Sequence, residues 1–276
     1  MYLAVKSSTP TSTNVIPSRG KYNVLAVASL GDDVFVVRYN SQQVEVYDAV
    51  TLTLQRHVAV HGLGRSSWGL AACPNNNCLY VSDENNNSIH RVELSRSDAV
   101  KKWSVADSPA GLSVNIARNL VVACNGADVL QEYTTHGSLV RDIRLQSGVT
   151  RPWHAIQLST GDYVVSQNTS PGVVSVVGVD GQVIHSYGQL QTSIFGLKNP
   201  SSLAVTRNDD ILVADEVTNR ILSINRSTGY VQELALSVDG GIQVPQGLCL
   251  DESRGRLYVG EFGGQHRVLV LDDVSL

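Results

Sequence analysis

The sequence is poor in several things at once. Its 276 residues include one Met, three Phe and three Trp, and aromatic residues make up only 6% of it. Charged residues make up 17%, below the roughly 25% of ordinary soluble domains. With a formal net charge of −4 there is no surplus of Lys and Arg, which disfavours diffuse binding to a phosphate backbone. No apolar run approaches the ~20 residues that cross a bilayer, so no membrane association is expected. The start, Met1-Tyr2-Leu3-Ala4-Val5-Lys6, lacks the basic lead and long apolar stretch of a secretory signal. A cytoplasmic chain, or an excised mature domain, is the expectation.

Chemical fingerprints are equally scarce. No Cys/His pairs stand at zinc-site spacing. Gly62-Leu63-Gly64 and Gly260-Glu261-Phe262-Gly263-Gly264 read as turns without a following helix, so there is no P-loop, dinucleotide fingerprint or nucleophile elbow. Of the four Cys, Cys124 and Cys249 lie inside apolar runs, whereas Cys73 and Cys78 bracket Pro74-Asn75-Asn76-Asn77. That spacing fits a disulfide across a hairpin mouth, which would argue for an extracellular setting. The other reading is four reduced thiols acting as small buried hydrophobes.

What the chain does have is valine and glycine. Hydrophobic residues reach 42% and Gly numbers 23, a bias toward β-strands, because β-branched side chains pack well on a pleated surface. No segment keeps a helical apolar period. Instead the chain repeats. The runs Val36-Val37-Arg38, Val81-Ser82-Asp83, Val122-Ala123-Cys124, Val165-Ser166-Gln167, Val213-Ala214-Asp215 and Val259-Gly260-Glu261 end at intervals of 45, 41, 43, 48 and 46 residues. Gly69-Leu70-Ala71, Gly111-Leu112-Ser113, His154-Ala155-Ile156, Ser202-Leu203-Ala204 and Gly247-Leu248-Cys249 keep the same phase, with Asn23-Val24-Leu25-Ala26 a looser copy. A period near 45 is that of a four-stranded propeller blade.

One unit can be read strand by strand: Ser202 to Thr206, Ile211 to Ala214, Arg220 to Asn225 and Tyr230 to Leu236, separated by turns rich in Asn, Asp, Ser and Gly. The predicted architecture is all-β, one domain over 1–276, a six-bladed β-propeller of four-stranded antiparallel blades. Its approximate units are 20–64, 65–106, 107–149, 150–197, 198–243 and 244–276. The last unit runs out after a third strand, Arg267 to Leu271. An N-terminal strand from 1–18, either Tyr2-Leu3-Ala4-Val5 or Asn14-Val15-Ile16, is expected to complete it and close the ring, removing an open sheet edge. A monomer is expected.

Asn199-Pro200-Ser201-Ser202-Leu203-Ala204-Val205, Ile211-Leu212-Val213-Ala214-Asp215 and Thr218-Asn219-Arg220-Ile221 together resemble an NHL repeat. Leu79-Tyr80-Val81-Ser82-Asp83, Arg151-Pro152-Trp153-His154-Ala155-Ile156 and Val244-Pro245-Gln246-Gly247-Leu248 are similar. The likeness is good in units 2, 4, 5 and 6 and weak in units 1 and 3. It implies a recognition platform for protein or RNA, as in the propellers of tripartite-motif proteins, although no RING or B-box segment is present here. A smaller group of related propellers, including the peptidyl-hydroxyglycine amidating lyase, implies zinc held by several His. The His residues of this chain fall at different phases, which argues against that site.

A propeller gathers equivalent positions around one axis. One ring should hold Arg38, Asp83, Cys124, Gln167, Asp215 and Glu261. The Asp residues there suit capping of the following loop. A second ring, just before each first strand, should hold Trp68, Ala110, Trp153, Ser201 and Gln246, with Arg65 and Arg151 upstream. Trp beside Arg is the composition of a binding hot spot, so the expected ligand-binding set is Trp68, Trp153, His154, Arg38, Arg65 and Arg151. The leading expectation is a non-enzymatic scaffold for a protein or peptide, with RNA second and carbohydrate third. It needs no cofactor. The alternative is a metal-assisted hydrolase or lyase at the axis, with Asp83, Asp215 and Glu261 as hard oxygen ligands suited to Ca²⁺.

Overall fold

The computed structural model describes residues 12–18, 20, 22–94, 99–188, 196–234 and 239–274. Among these, every regular element longer than a 3-10 turn is a β-strand, and the strands pair into six four-stranded antiparallel sheets. Each innermost strand touches the innermost strand of the next sheet, and that of the last touches that of the first. The protein is a six-bladed β-propeller. No helix of the described residues is long and apolar enough to cross a membrane.

Blade 5 shows how the sequence makes a blade. Its strands are Pro200–Val205, Ile211–Asp215, Arg220–Ile224 and Val231–Glu233, here termed a to d from the axis outward. The second is continuously apolar because both of its faces are covered. Ile211 and Val213 join the cluster shared with blade 4, and Leu212 and Ala214 the cluster shared with blade 6. The pattern recurs around the ring: six apolar clusters form the core, one at each interface between neighbouring blades. The innermost strands of the other blades are Val24–Leu30, Leu70–Cys73, Pro109–Val114, Pro152–Gln157 and Pro245–Asp251.

The ring closes as expected. Ser12–Ile16 pairs antiparallel with Val268–Asp272 as the outermost strand of blade 6, with Ile16 opposite Val268 and Ser12 opposite Asp272. Ile16 is fully buried in the cluster between blades 6 and 1. Asn14 Nδ2 donates to Asp272 Oδ2 at 2.9 Å. The alternative closing segment, Tyr2-Leu3-Ala4-Val5, lies outside the described residues. Cys73 and Cys78 are direct cross-strand neighbours flanking the turn, yet both are free, buried thiols. The structure therefore has no disulfide here. Burial pushes the Cys78 thiol above its ordinary value.

Candidate functional site

The starts of the innermost strands and the ends of the strands beside them share one face of the disc. Val24 pairs with Arg38, Pro109 with Cys124, Pro152 with Gln167, Pro200 with Asp215 and Pro245 with Glu261. In each case the register then slips before pairing resumes. Such a bulge lifts a residue out of the ladder and re-aims its side chain. Trp153 and Gln246 occupy these bulges. Proline suits the position before, since the first residue of a strand loses no ladder hydrogen bond by lacking an N–H.

The strand-b ends form a ring of fasteners. All six of its residues are buried. Asp83 caps the loop that follows it, accepting from Asn86 N at 3.3 Å, Asn86 Nδ2 at 2.8 Å and His90 Nε2 at 3.1 Å. Asp215 instead reaches back to the loop before its blade. It accepts from Lys198 N at 2.8 Å and Asn199 N at 3.1 Å, so its expected cap on the following loop is corrected. Gln167 and Glu261 do the same in their blades, taking Thr150 N and Gln243 N at 3.0 Å each. Glu261 also receives Arg267 Nε at 3.0 Å. Burial raises its carboxyl above the ordinary range, with Arg267 and the Gln243 amide opposing. Arg38 pairs with Glu45 at 2.8 Å and donates to the carbonyls of Tyr22 and His266, tying blade 1 to blade 6. It is 5% exposed, so it cannot serve the open face as anticipated.

One position further along, the side chains converge on the axis. The Trp68 and Trp153 rings lie 5.2 Å apart, and Phe262 packs on Trp68 at 5.5 Å. These three come from blades 2, 4 and 6 and are half-buried. Centroid distances of this size are those of favourable tilted aromatic pairs. The indole N–H of Trp68 is tied to a carboxylate directly, and that of Trp153 through an amide. Trp68 Nε1 donates to Glu84 Oε2 at 2.8 Å. Trp153 Nε1 donates to the Gln246 amide oxygen at 3.0 Å, and that amide's nitrogen donates to Glu216 Oε2 at 3.0 Å. Glu84 also accepts from Ser108 Oγ at 3.0 Å, and Glu216 from Asn199 Nδ2 at 3.3 Å. Burial, helped by the neighbouring Asp215, raises the Glu216 carboxyl above its usual value.

Beneath the aromatic cluster His154 locks three blades together. Its Nδ1 accepts from Leu203 N at 3.0 Å, so the proton sits on Nε2, which faces the Leu112 carbonyl at 3.1 Å. Burial pushes its pKa down to about 4, the Leu112 carbonyl opposing weakly. His154 is a neutral cross-brace, buried away from the open face where it was expected to meet a ligand. It also fills space that glycine leaves: a Cβ on Gly111 would meet the imidazole at 2.7 Å. On the far side of this brace the channel widens into a cavity of about 490 Å³, lined mainly by the aliphatic ends of the innermost strands.

Of the anticipated ligand-binding residues, the structure brings Trp68 and Trp153 together and leaves Arg65 and Arg151 exposed. It does not bring Asp83, Asp215 and Glu261 together: among the described residues no three His, Cys, Asp or Glu side chains form a metal-binding group. Sequence reasoning missed Phe262, Glu84 and Glu216. All three follow directly on a strand-b end, so moving that ring by one residue would have found them.

No protein-family profile matches the chain, and no curated protein is similar in sequence. Solved structures share its fold. Hydrazine synthase of Kuenenia stuttgartiensis is 21% identical with a TM-score of 0.67, over 98% of this chain and 79% of that one. A streptogramin B lyase is 11% identical with a TM-score of 0.68, over 95% and 97%. A chain of a nidogen/laminin complex is 16% identical with a TM-score of 0.65, over 80% and 82%. At these identities the likeness shows the six-bladed propeller alone.

Proposed function

We propose that the protein is a recognition module that binds a protein or peptide on the face where the innermost strands begin, centred on Trp68, Trp153 and Phe262. The observation that carries this reading is the convergence of three half-buried aromatic rings from alternate blades on the axis of that face. Aromatic anchors at the middle of a surface supply most of the energy of typical interfaces. The flanking carboxylates of Glu84 and Glu216 repel phosphate, which sets RNA behind peptide. The NHL-like repeats support the same reading, as does the fold shared with a chain of the nidogen/laminin complex.

The competing reading is a metal-assisted lyase or hydrolase. The nearly full-length likeness to the streptogramin B lyase favours it. It calls for Ca²⁺ at Asp83, Asp215 or Glu261, and each of these is already committed to backbone or side-chain donors.

Selection of a random peptide library on immobilised protein tests the main reading. Selected peptides should bind the wild type and lose at least tenfold in affinity for Trp68→Ala/Trp153→Ala, provided that variant melts as a folded protein. Peptides that bind both forms equally would overturn it. A melting temperature lowered by EDTA and restored by Ca²⁺ would favour the competing reading, because a ligand specific to the native state stabilises it by mass action.

A further inference from the structure

We infer that the aromatic centre receives a cation, the Lys or Arg side chain of a peptide; this rests on the recognition reading above and adds the chemistry of the anchor. Four observations converge on it. The rings of Trp68, Trp153 and Phe262 gather at one half-buried spot. Indole is the best aromatic partner for a cation. The Trp68 N–H donates to the Glu84 carboxylate, and the Trp153 N–H donates to the Gln246 amide, which in turn donates to Glu216. A carboxylate on the N–H edge pushes electron density into the ring and deepens the negative potential of its face.

Neither carboxylate is neutralised. Among the described residues the ion pairs of this face join Arg38 to Glu45, Lys102 and His90 to Asp83, Arg220 to Glu233, and Arg267 to Glu261. None reaches Glu84 or Glu216, whose donors are an indole, a hydroxyl and two amides. Two half-buried charges left without a counter-ion beside three aromatic rings leave room for one supplied by a partner. Glu216 fits the part, since burial and Asp215 already work against its charged form, and an incoming cation would relieve that. The exposed bases of the same face, Arg65, Arg151 and Lys198, belong to the loops before the innermost strands, and there they suit the acidic flanks of a peptide.

Amide-labelled protein provides its own control, because it has three indoles and Trp103 lies away from this centre, packed between Tyr80 and Tyr133. Titration with N-acetyl-arginine and N-acetyl-lysine methylamides should shift the Trp68 and Trp153 indole signals saturably and leave Trp103 unmoved. The uncharged counterparts, N-acetyl-citrulline and N-acetyl-norleucine methylamides, should bind at least fivefold more weakly. Glu84→Gln and Glu216→Gln keep an acceptor oxygen while removing charge, and each should weaken the cationic probes about fivefold, the margin shrinking in high salt. Equal response to charged and uncharged probes, or Gln variants that bind as wild type, would overturn the cation and leave the recognition face standing. Failure of all four probes to move either indole, together with library peptides indifferent to Trp68→Ala/Trp153→Ala, would remove both.

Discussion

Asp215 and Glu216 are neighbours in the chain with opposite fates. Asp215 is fully buried and holds two backbone amides of the loop that leads into its own blade. Glu216 is half-buried, its donors are side-chain amides, and its charge has no basic partner among the described residues. The same step separates Asp83 from Glu84 and Glu261 from Phe262. At this step the chain leaves the strand for a turn, so the last strand residue is held within the blade and the next lies beside the aromatic centre. This propeller thus carries two concentric rings a single residue apart, one that fastens the blades and one that borders the aromatic centre.

Substitutions sharpen that contrast, starting from the fastening ring. Asp215→Ala strips two part-buried amides of their acceptor and should cost about 2 kcal/mol, lowering the melting temperature by roughly 4–8 °C. A loss under about 1 kcal/mol would mean that the fastening ring is not structural.

Acid should do about as much through His154. Its folded pKa is about 4 against an ordinary 6.5, so between these values the unfolded chain binds a proton that the folded one refuses. Stability therefore falls as pH drops from 6.5 to 4, by at most about 3 kcal/mol from this residue. Urea midpoints at pH 7 and pH 4.5 should converge in His154→Gln relative to wild type. An unchanged gap would exclude His154 as the source.

In the axis-facing ring the effects shrink and then reverse. Trp68→Phe keeps an aromatic face but removes the donor to Glu84, a loss of about 1 kcal/mol. Glu216→Gln should raise stability at pH 7 by a few tenths to about 1 kcal/mol, because the raised pKa means that the charged form is the disfavoured one in the folded state. A melting comparison of Glu216→Gln with Asp215→Asn, predicted to move in opposite directions, is the most direct way to break the two-ring picture.

Much of this was legible beforehand. The strand-b runs, the interval between them and the turn residues specified six blades, and the N-terminal segment, with Tyr2-Leu3-Ala4-Val5 or Asn14-Val15-Ile16 as its strand, had no other unit to join. The meeting of Trp68 and Trp153 followed from equal phase. Side-chain direction did not follow. Spacing alone does not say which of two adjacent residues faces the axis, so Asp83, Asp215 and Glu261 were read as a shared ring when each turns into its own blade. Arg38 looked like an open-face base because its partners, Glu45 and the carbonyls of Tyr22 and His266, come from three separate segments. Phe262 was hidden in a glycine-rich turn, where nothing marks an aromatic as a contributor from a sixth blade. The bulges that aim Trp153 and Gln246 have no sequence signature beyond the proline before them.

The closure of blade 6 also sets an order of events during synthesis. Asn14 and the Asp272 that it bonds are separated by 258 positions. At about 5–20 residues per second, the strand Ser12–Ile16 waits roughly 10–50 seconds for its partner to be made. For that whole interval, five blades can assemble in sequence while both ends of the arc stay unpaired. The open arc, with its apolar flanks at blades 1 and 6, is thus the species most in need of protection, and the final strand pairing turns a growing row of sheets into a ring in one step.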